Sequence, residues 1–477
     1  MKKTDYDAIV VGSGPNGLAA AITLQQKGFF VLLIEAKSTV GGGMRSAALT
    51  LPGFVHDVCS AVHPLAAASP FFKTIPLEQY GLEFIFPSLA ATHPLDNGKA
   101  VAVYKSMNET ASALGMDEKN YLHLLRPLLE DWSGLVKEIL SPLHLPSKPF
   151  AMARFGLKAL KSASRLAKTF ETTEAKALWA GMAAHSIQPL TNAATSAFGL
   201  MLLASAHGVG WPFIRGGSEA LARALSSYFI SLGGKIETGF YVRSLKQLPS
   251  SKAVLFDVTP RQLLEIAGQK FSSTYRWQLK RYQYGMGAFK IDWALDAPIP
   301  FTAAACCHSG TVHIGNSFEE IEASEQQTSE GKIPDRPFVL LAQPSLFDSS
   351  RAPQGKHTAW AYCHVPNGSL TDMTSRIEDQ VERFAPGFKE RILARHVLNP
   401  KQMEEYNSNY IGGDINGGMM NLRQLFTRPA LRFSPYRTSA RGIYICSSST
   451  PPGGGVHGMC GFHSAQKAMR GMVKGEW

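Results

Sequence analysis

Three glycines and one acid near the start of the chain have the types and spacing to hold a dinucleotide. Gly12, Gly14 and Gly17 make a GxGxxG turn with Pro15 and Asn16 inside it, and Glu35 follows roughly twenty residues on. Gly12 permits a tight turn, Gly14 lets the backbone approach a pyrophosphate, and Gly17 lets a helix pack closely on a strand. A helix opening at this turn offers unpaired N–H groups and the positive end of its dipole to phosphates. A carboxylate at position 35 can hold both hydroxyls of a ribose. A bare GxGxxG is also an ordinary glycine turn, so the elements around it decide.

Those elements are in register. Asp7 to Val11 is a short apolar, β-branched run that reads as a buried parallel strand. Leu18 to Gly28 reads as a helix with small residues in its first turn and Gly28 as its stop. Phe29 to Ile34 is a second strand ending at Glu35. Strand, helix, strand and acid together predict an adenine-dinucleotide site.

The residues after Glu35 separate FAD from NAD. Ala36 is followed by Gly41-Gly42-Gly43-Met44-Arg45. This resembles the E-x6-G-G extension of the large FAD-dependent family that includes amine oxidases and phytoene desaturases. The resemblance implies FAD, with this segment along the pyrophosphate and ribityl chain; a glycine-rich loop without a ligand is the alternative. Trp211 to Val242 repeats the family's "P-x-x-x-GG, helix, GG-x-I, strand, V" pattern, which implies that the Val242 backbone faces adenine. Where many members continue into a longer hairpin, this chain passes quickly through Pro249 to a strand and turn at 253–260.

A second specific match lies at the C-terminal end, where a strand at 442–446 runs into Ser447-Ser448-Ser449-Thr450-Pro451-Pro452-Gly453-Gly454-Gly455-Val456-His457-Gly458-Met459. A glycine-rich turn feeding a helix N-terminus can face the N1–C2=O edge of a flavin, where negative charge develops on reduction. The resemblance implies cofactor contacts from Ser448, Ser449, Gly454, Gly455, Val456 and Met459. Three serines stand where relatives carry Gly-Ala-Gly. The likeness runs from Asp7 to Ala465, with the two ends the most specific parts.

Catalytic candidates are His457, His63 and Tyr362, with Asp414 a further pocket residue. His457 either stabilises reduced flavin, as a group titrating near neutrality, or is a structural residue at a helix start. Residues 49–66 hold the Pro52-Gly53 turn and His56, Asp57, Cys59 and His63, without the spacing of a metal site. The expected chemistry is that of a desaturase, dehydrogenase or oxidase. Hydride leaves a substrate carbon for flavin N5, and oxygen or a quinone reoxidises the flavin. With one dinucleotide fingerprint, no separate NAD(P)H domain is expected. Two other readings stay open: a flavin-assisted, non-redox isomerase, and a membrane-associated interaction protein with a structural FAD.

The remaining elements must position these groups. The expected fold is α/β (α+β overall): a Rossmann-like FAD-binding domain of the glutathione-reductase type, an interleaved β-sheet substrate domain and a helical cap. Residues 1–65, 211–283 and 421–477 are assigned to the first, 66–210 to the cap and 284–420 to the sheet. At 477 residues and 45% hydrophobic, the chain has ample material for several lobes. Many cap helices are apolar on more than one face, which suits a lipid-like small-molecule substrate as well as plain core. The acidic segment 319–335 reads as an exposed helix and loop.

Six cysteines without a CxxC pair read as reduced thiols and argue against a dithiol redox centre. The opening Met1-Lys2-Lys3, followed at once by Asp5, Asp7 and the first strand, does not read as a signal peptide, and the expected location is cytoplasmic. Net charge is +11, yet no nucleic-acid module is present. Arg154, Lys158, Lys161, Arg165 and Lys168 recur at four- and three-residue spacing, which predicts one basic helix face over 152–170. That face is either solvated or docks peripherally on an anionic membrane.

Overall fold

The computed structural model describes residues 4–475. Two sheets organise the chain. The first has five parallel strands in the order Ile443–Ile445, Ser251–Phe256, Tyr6–Val11, Val31–Ile34 and Lys235–Glu237. The central strands are buried, as their unbroken Val, Ile and Leu runs require.

Pro15–Gln25 and Met459–Val473 are the helices beside the phosphate turn. Gly12 has φ 100°, and a Cβ at Gly17 would overlap the Gly12 carbonyl oxygen. The first helix therefore sits on its strand as closely as backbone allows. A Cβ at Gly461 would overlap the Asn16 carbonyl oxygen, so the last helix of the chain is seated against the first by the same device.

The second sheet has seven strands in the order Ile392–Leu398, Gly287–Leu295, His357–Val365, Val339–Ala342, Ser309–Ile314, Leu89–Pro94 and Ala100–Tyr104. All neighbours are antiparallel except Ser309–Ile314 with Leu89–Pro94. One face carries Phe289, Ile291, Trp293, Leu341 and Ala361 into a core closed by the helix Thr374–Phe384. The opposite face is free to line a cavity. Strands Leu89–Pro94 and Ala100–Tyr104 come from the stretch expected to be mainly helical. The helices Glu118–Leu129, Trp132–Ile139, Pro149–Ala159, Ala163–Ala167, Thr173–Ala184 and Ser196–Gly208 then build the cap.

Three expectations change. The basic stretch 152–170 is two helices, because Ser162 adopts an extended backbone and its Oγ accepts the Arg165 N–H at 3.2 Å as an N-cap. The acidic segment is helical at Phe318–Ser329 but not simply exposed. Glu325 is fully buried, and His364 Nδ1 lies 2.8 Å from both its carboxylate oxygens. The C-terminal helix starts at Met459, three residues before the expected Phe462, since the glycine-rich turn closes at Gly458 with φ 70°.

Candidate active site

One cavity of about 550 Å³ runs from the phosphate turn to the free face of the seven-stranded sheet. At its nucleotide end, Gly12, Gly14, Pro15, Asn16, Glu35, Ala36, Gly42, Gly43, Arg45 and Val242 line the wall. The helix Pro15–Gln25 has no side-chain cap and no acid in its first turn. Among the described residues, the amides of Gly14, Asn16, Gly42 and Gly43 make no hydrogen bond within the protein. Four backbone donors converging on one cavity wall form an anion-binding surface of pyrophosphate type. A Cβ at Gly42 would lie 2.9 Å from Gly14 Cα, so the two glycine clusters meet. Val242 has a backbone N–H and C=O without protein partners, as an adenine edge would require.

Glu35 is occupied more fully than the sequence suggests. Its Oε2 accepts the Ser13 N–H at 3.0 Å and the Ser13 hydroxyl at 2.5 Å. Its Oε1 accepts the Lys37 N–H at 2.9 Å and pairs with Arg45 Nη2 at 3.0 Å. A carboxylate has about four lone-pair sites, and all four are used. Arg45 is equally committed, donating also to the Thr39 carbonyl and to the Gly42 carbonyl. The two side chains brace the loop that presents Gly42 and Gly43. Gly17, Gly41 and Met44 lie off the cavity wall; Met44 is core.

Sequence reasoning missed Asp257, at the end of strand Ser251–Phe256. It is buried, lines the cavity, and accepts the Gly17 N–H at 2.9 Å. Burial, with the Glu35 charge adding to it, pushes its pKa up to about 7 against the opposing Gly17 hydrogen bond. The signal was available: an acid directly after a strand of the nucleotide sheet.

At the C-terminal turn, Ser448, Gly455 and Val456 reach the cavity wall, whereas Ser449, Gly454, His457 and Met459 do not. Ser449 Oγ donates to the Gly417 carbonyl at 2.7 Å and ties two loops together. Met459 packs into the core. Of the two roles open to His457, the geometry favours the structural one. Its Nδ1 accepts the Met459 N–H at 3.0 Å, and burial pushes its pKa down to about 4. It is a neutral ring folded into the helix start. Behind Ser448 sits Arg428, buried and without an ion-pair partner among the described residues. Its Nη2 donates to the Ser448 carbonyl at 2.7 Å.

The far end of the cavity is built by pleating. Ala288 and Lys290, Leu340 and Ala342, and Trp360 and Tyr362 are spaced by two, so they share one face. Leu202 and Trp211 cover them from the cap side. Lys290 is buried and paired with Asp292, which also faces His56 at 3.7 Å and His396 at 3.5 Å. Tyr362 lies on this floor, and burial holds its hydroxyl protonated. Asp414 does not reach the cavity. Its carboxylate accepts the N–H groups of Gly285, Asn416 and Gly418, and so organises a loop.

Two histidines reach the wall. The Ser218 hydroxyl donates to the Ser60 carbonyl at 2.6 Å, so at 2.8 Å it accepts from His63 Nε2–H. This fixes the tautomer and leaves His63 Nδ1 a buried acceptor without a partner. Burial keeps the ring neutral, with pKa pushed down to about 4. His185, which the sequence did not single out, has Nε2 3.0 Å from His313 Nε2. Burial pushes His185 down to about 3 and His313 well below the usual histidine range. Two neutral rings thus share one hydrogen, and Nδ1 is the His185 nitrogen left for a molecule in the cavity. Only folding pairs these rings, which lie 128 residues apart.

These residues fit FAD: free amides for the pyrophosphate, a braced acid near the ribose position, free backbone groups at Val242, and a turn with a buried arginine behind it. The NAD(P)-binding Rossmann-like domain family matches residues 10–73. The chain is 25% identical to the mouse pyridine nucleotide-disulfide oxidoreductase domain-containing protein 2, over 98% of this chain and 94% of that protein. It is 23% identical to a lycopene-forming phytoene desaturase of Pantoea ananas, over 97% and 98% of the two chains. In fold it is similar to a putrescine oxidase solved with putrescine, with TM-score 0.61, 15% identity, and 98% and 99% coverage. The curated relatives, the matched nucleotide-binding segment and the fold all fit the FAD-dependent oxidoreductase superfamily of phytoene desaturase-like and amine-oxidase-like proteins, and FAD is the cofactor that these residues and relatives support.

Proposed function

We propose that the protein is an FAD-dependent dehydrogenase of a neutral, apolar small molecule. The observation that carries this reading is the chemistry of the cavity's far end. Leu340, Ala342, Trp360, Ala288, Leu202 and Trp211 supply an apolar surface, and its one strong charge, Lys290, is already paired with Asp292. The carboxylates on the wall, Glu35, Asp257 and Glu405, belong to the nucleotide end. A cationic diamine would meet a lysine and no free acid there, so the desaturase-like relatives are the better guide to substrate than the amine oxidases.

When bound, FAD supplies a two-electron acceptor for a hydride leaving a substrate carbon. The chain's residues must orient the substrate, exclude water and take the accompanying proton. Trp360, Tyr362 and Trp211 form an aromatic wall that orients an apolar chain or ring. His185 Nδ1 takes the proton, and the resulting imidazolium is held by a charge-assisted hydrogen bond to His313 Nε2. Oxygen or a quinone is the proposed final acceptor. Dithiol chemistry is a poor alternative: Cys59 is the one thiol on the wall, and burial pushes its pKa up to about 11.

The test is anaerobic mixing of the yellow holoprotein with apolar alkenes and alicyclic compounds on one side and diamines on the other. Bleaching of flavin absorbance by the apolar set supports the proposal. Bleaching by diamines alone overturns it.

A further inference from the structure

The helical cap carries a surface unlike the rest of the molecule. From Ile139 to Phe170 the sequence contains no Asp or Glu but six Lys or Arg residues. Within it, large apolar side chains stand in water: Leu143 is 67% exposed, Leu145 94%, Phe150 86% and Leu157 72%. The structure buries Phe155, Ala159, Leu166 and Phe170, yet leaves Phe150 and Leu157 exposed at helical spacing from Arg154, with Lys161 exposed just past the helix end.

The loop in front of this helix is held in place. The Ser147 N–H donates to Glu138 Oε1 at 3.0 Å, and His144 Nε2 lies 2.7 Å from Glu138 Oε2. Lys148 pairs with Asp131 at 2.6 Å. Asp131 is thus paired with a lysine and Glu138 is engaged by hydrogen bonds, and Leu143 and Leu145 are offered from a braced loop. Beside the helix is a shallow pocket lined by Lys119, His123, Arg126 and Arg154, with Glu130 as its one acid. Lys158 Nζ donates to the His123 carbonyl at 3.3 Å and joins the pocket to the helix. Among the described residues, Lys119, Arg126, Arg154 and Lys161 have no ion-pair partner.

We propose that this face docks on the surface of an anionic phospholipid bilayer. Leu143, Leu145, Phe150 and Leu157 enter the interfacial layer, while Arg154, Lys161 and the Lys119–Arg126 pocket engage lipid phosphates. Exposed leucines and a phenylalanine interleaved with unpaired cations complement both parts of that interface, the apolar acyl boundary and the anionic headgroups. A purely aqueous face would have no use for the leucines, and a protein groove would have no general use for an acid-free run of 32 residues. No helix among the described residues is long and apolar enough to cross a membrane, so the contact is peripheral.

The experiment is cosedimentation of the holoprotein with vesicles of phosphatidylglycerol and phosphatidylcholine, against phosphatidylcholine alone. Binding to the anionic vesicles is expected, weakening as salt rises. The double variant Phe150→Asp/Leu157→Asp and the double variant Arg154→Glu/Lys161→Glu should each lower partitioning at least about tenfold, given about fivefold per cation at such a surface. Both should keep their flavin spectrum, which reports folding. Equal binding to both vesicle types, or no loss in either variant, overturns the proposal. So does a wild-type dimer in gel filtration that the Asp variant converts to monomer, because the face would then belong to a second copy. None of these outcomes depends on which substrate the cavity takes.

Discussion

Glu35 and Asp257 are two carboxylates at one end of one cavity, and their surroundings give them opposite characters. Glu35 is surrounded by Ser13, Lys37 and Arg45 donors, which compensate its charge. Asp257 has one backbone donor and burial, so its pKa rises to about 7. In the unfolded chain this group loses its proton near pH 4, and in the folded protein near 7. Between those values the folded state holds more protons, so raising the pH through that window removes stability, by on the order of 4 kcal/mol in full. Urea midpoints of the apoprotein at pH 4.5 and 7.5 should therefore fall with pH at this site. Asp257→Asn should flatten that trend, and an unchanged slope would rule Asp257 out as its source. At the opposite end, His185→Gln is expected to slow anaerobic flavin reduction by about a hundredfold or more while substrate still binds. His313→Asn should slow it less and shift its pH profile. Identical losses in binding and rate would mean that His185 only shapes the cavity.

At the scale of elements, the nucleotide end depends on the first helix being seated between its strand and the last helix of the chain. Gly461 makes that possible by letting the backbone of Met459–Val473 approach the Asn16 carbonyl. Gly461→Val must push the helices apart, at a cost of about 1–3 kcal/mol or more. Since Asn16 offers one of the free amides, the same variant should lose FAD affinity; calorimetric unfolding and cofactor retention on a desalting column check the two effects separately. The cap shows how a local signal overrides periodicity. Spacing alone joined Arg154 to Lys168 in one helix, but Ser162 caps a new helix, and the cation row is split between Pro149–Ala159 and Ala163–Ala167.

For the whole molecule, the cavity lies where two sheets of different construction meet. The parallel sheet supplies loop ends and a helix start, which bind charge. The antiparallel sheet supplies one pleated face, which lines an apolar slot. FAD held by these residues would bridge segments from both ends and the middle of the chain. Adding FAD to apoprotein should therefore stabilise the entire fold by about 2.7 kcal/mol at a hundredfold excess over Kd. A single cooperative transition that moves to higher temperature with FAD is the expected calorimetric result. A cap that melts independently of cofactor would show that the lobes are not coupled.

By itself the sequence determined the dinucleotide turn, its strand–helix–strand setting and the acid that follows, because these are local. Gly12, Gly14, Gly17 and Glu35 act within one short run, and their spacing carries the geometry. The C-terminal match was legible for the same reason, although its boundaries shifted by a few residues. Tertiary structure alone decided which side chains face the cavity. His457 looked as eligible as His63, yet it lies off the cavity wall with its Nδ1 holding a backbone amide two residues away. His185 carried no motif and Asp257 only the signal of an acid after a strand, and both became site residues when distant segments met. Burial, hydrogen-bond partners and proton affinities arise from such meetings, 128 residues apart for His185 with His313 and 240 for Asp257 with Gly17, and no local pattern encodes them.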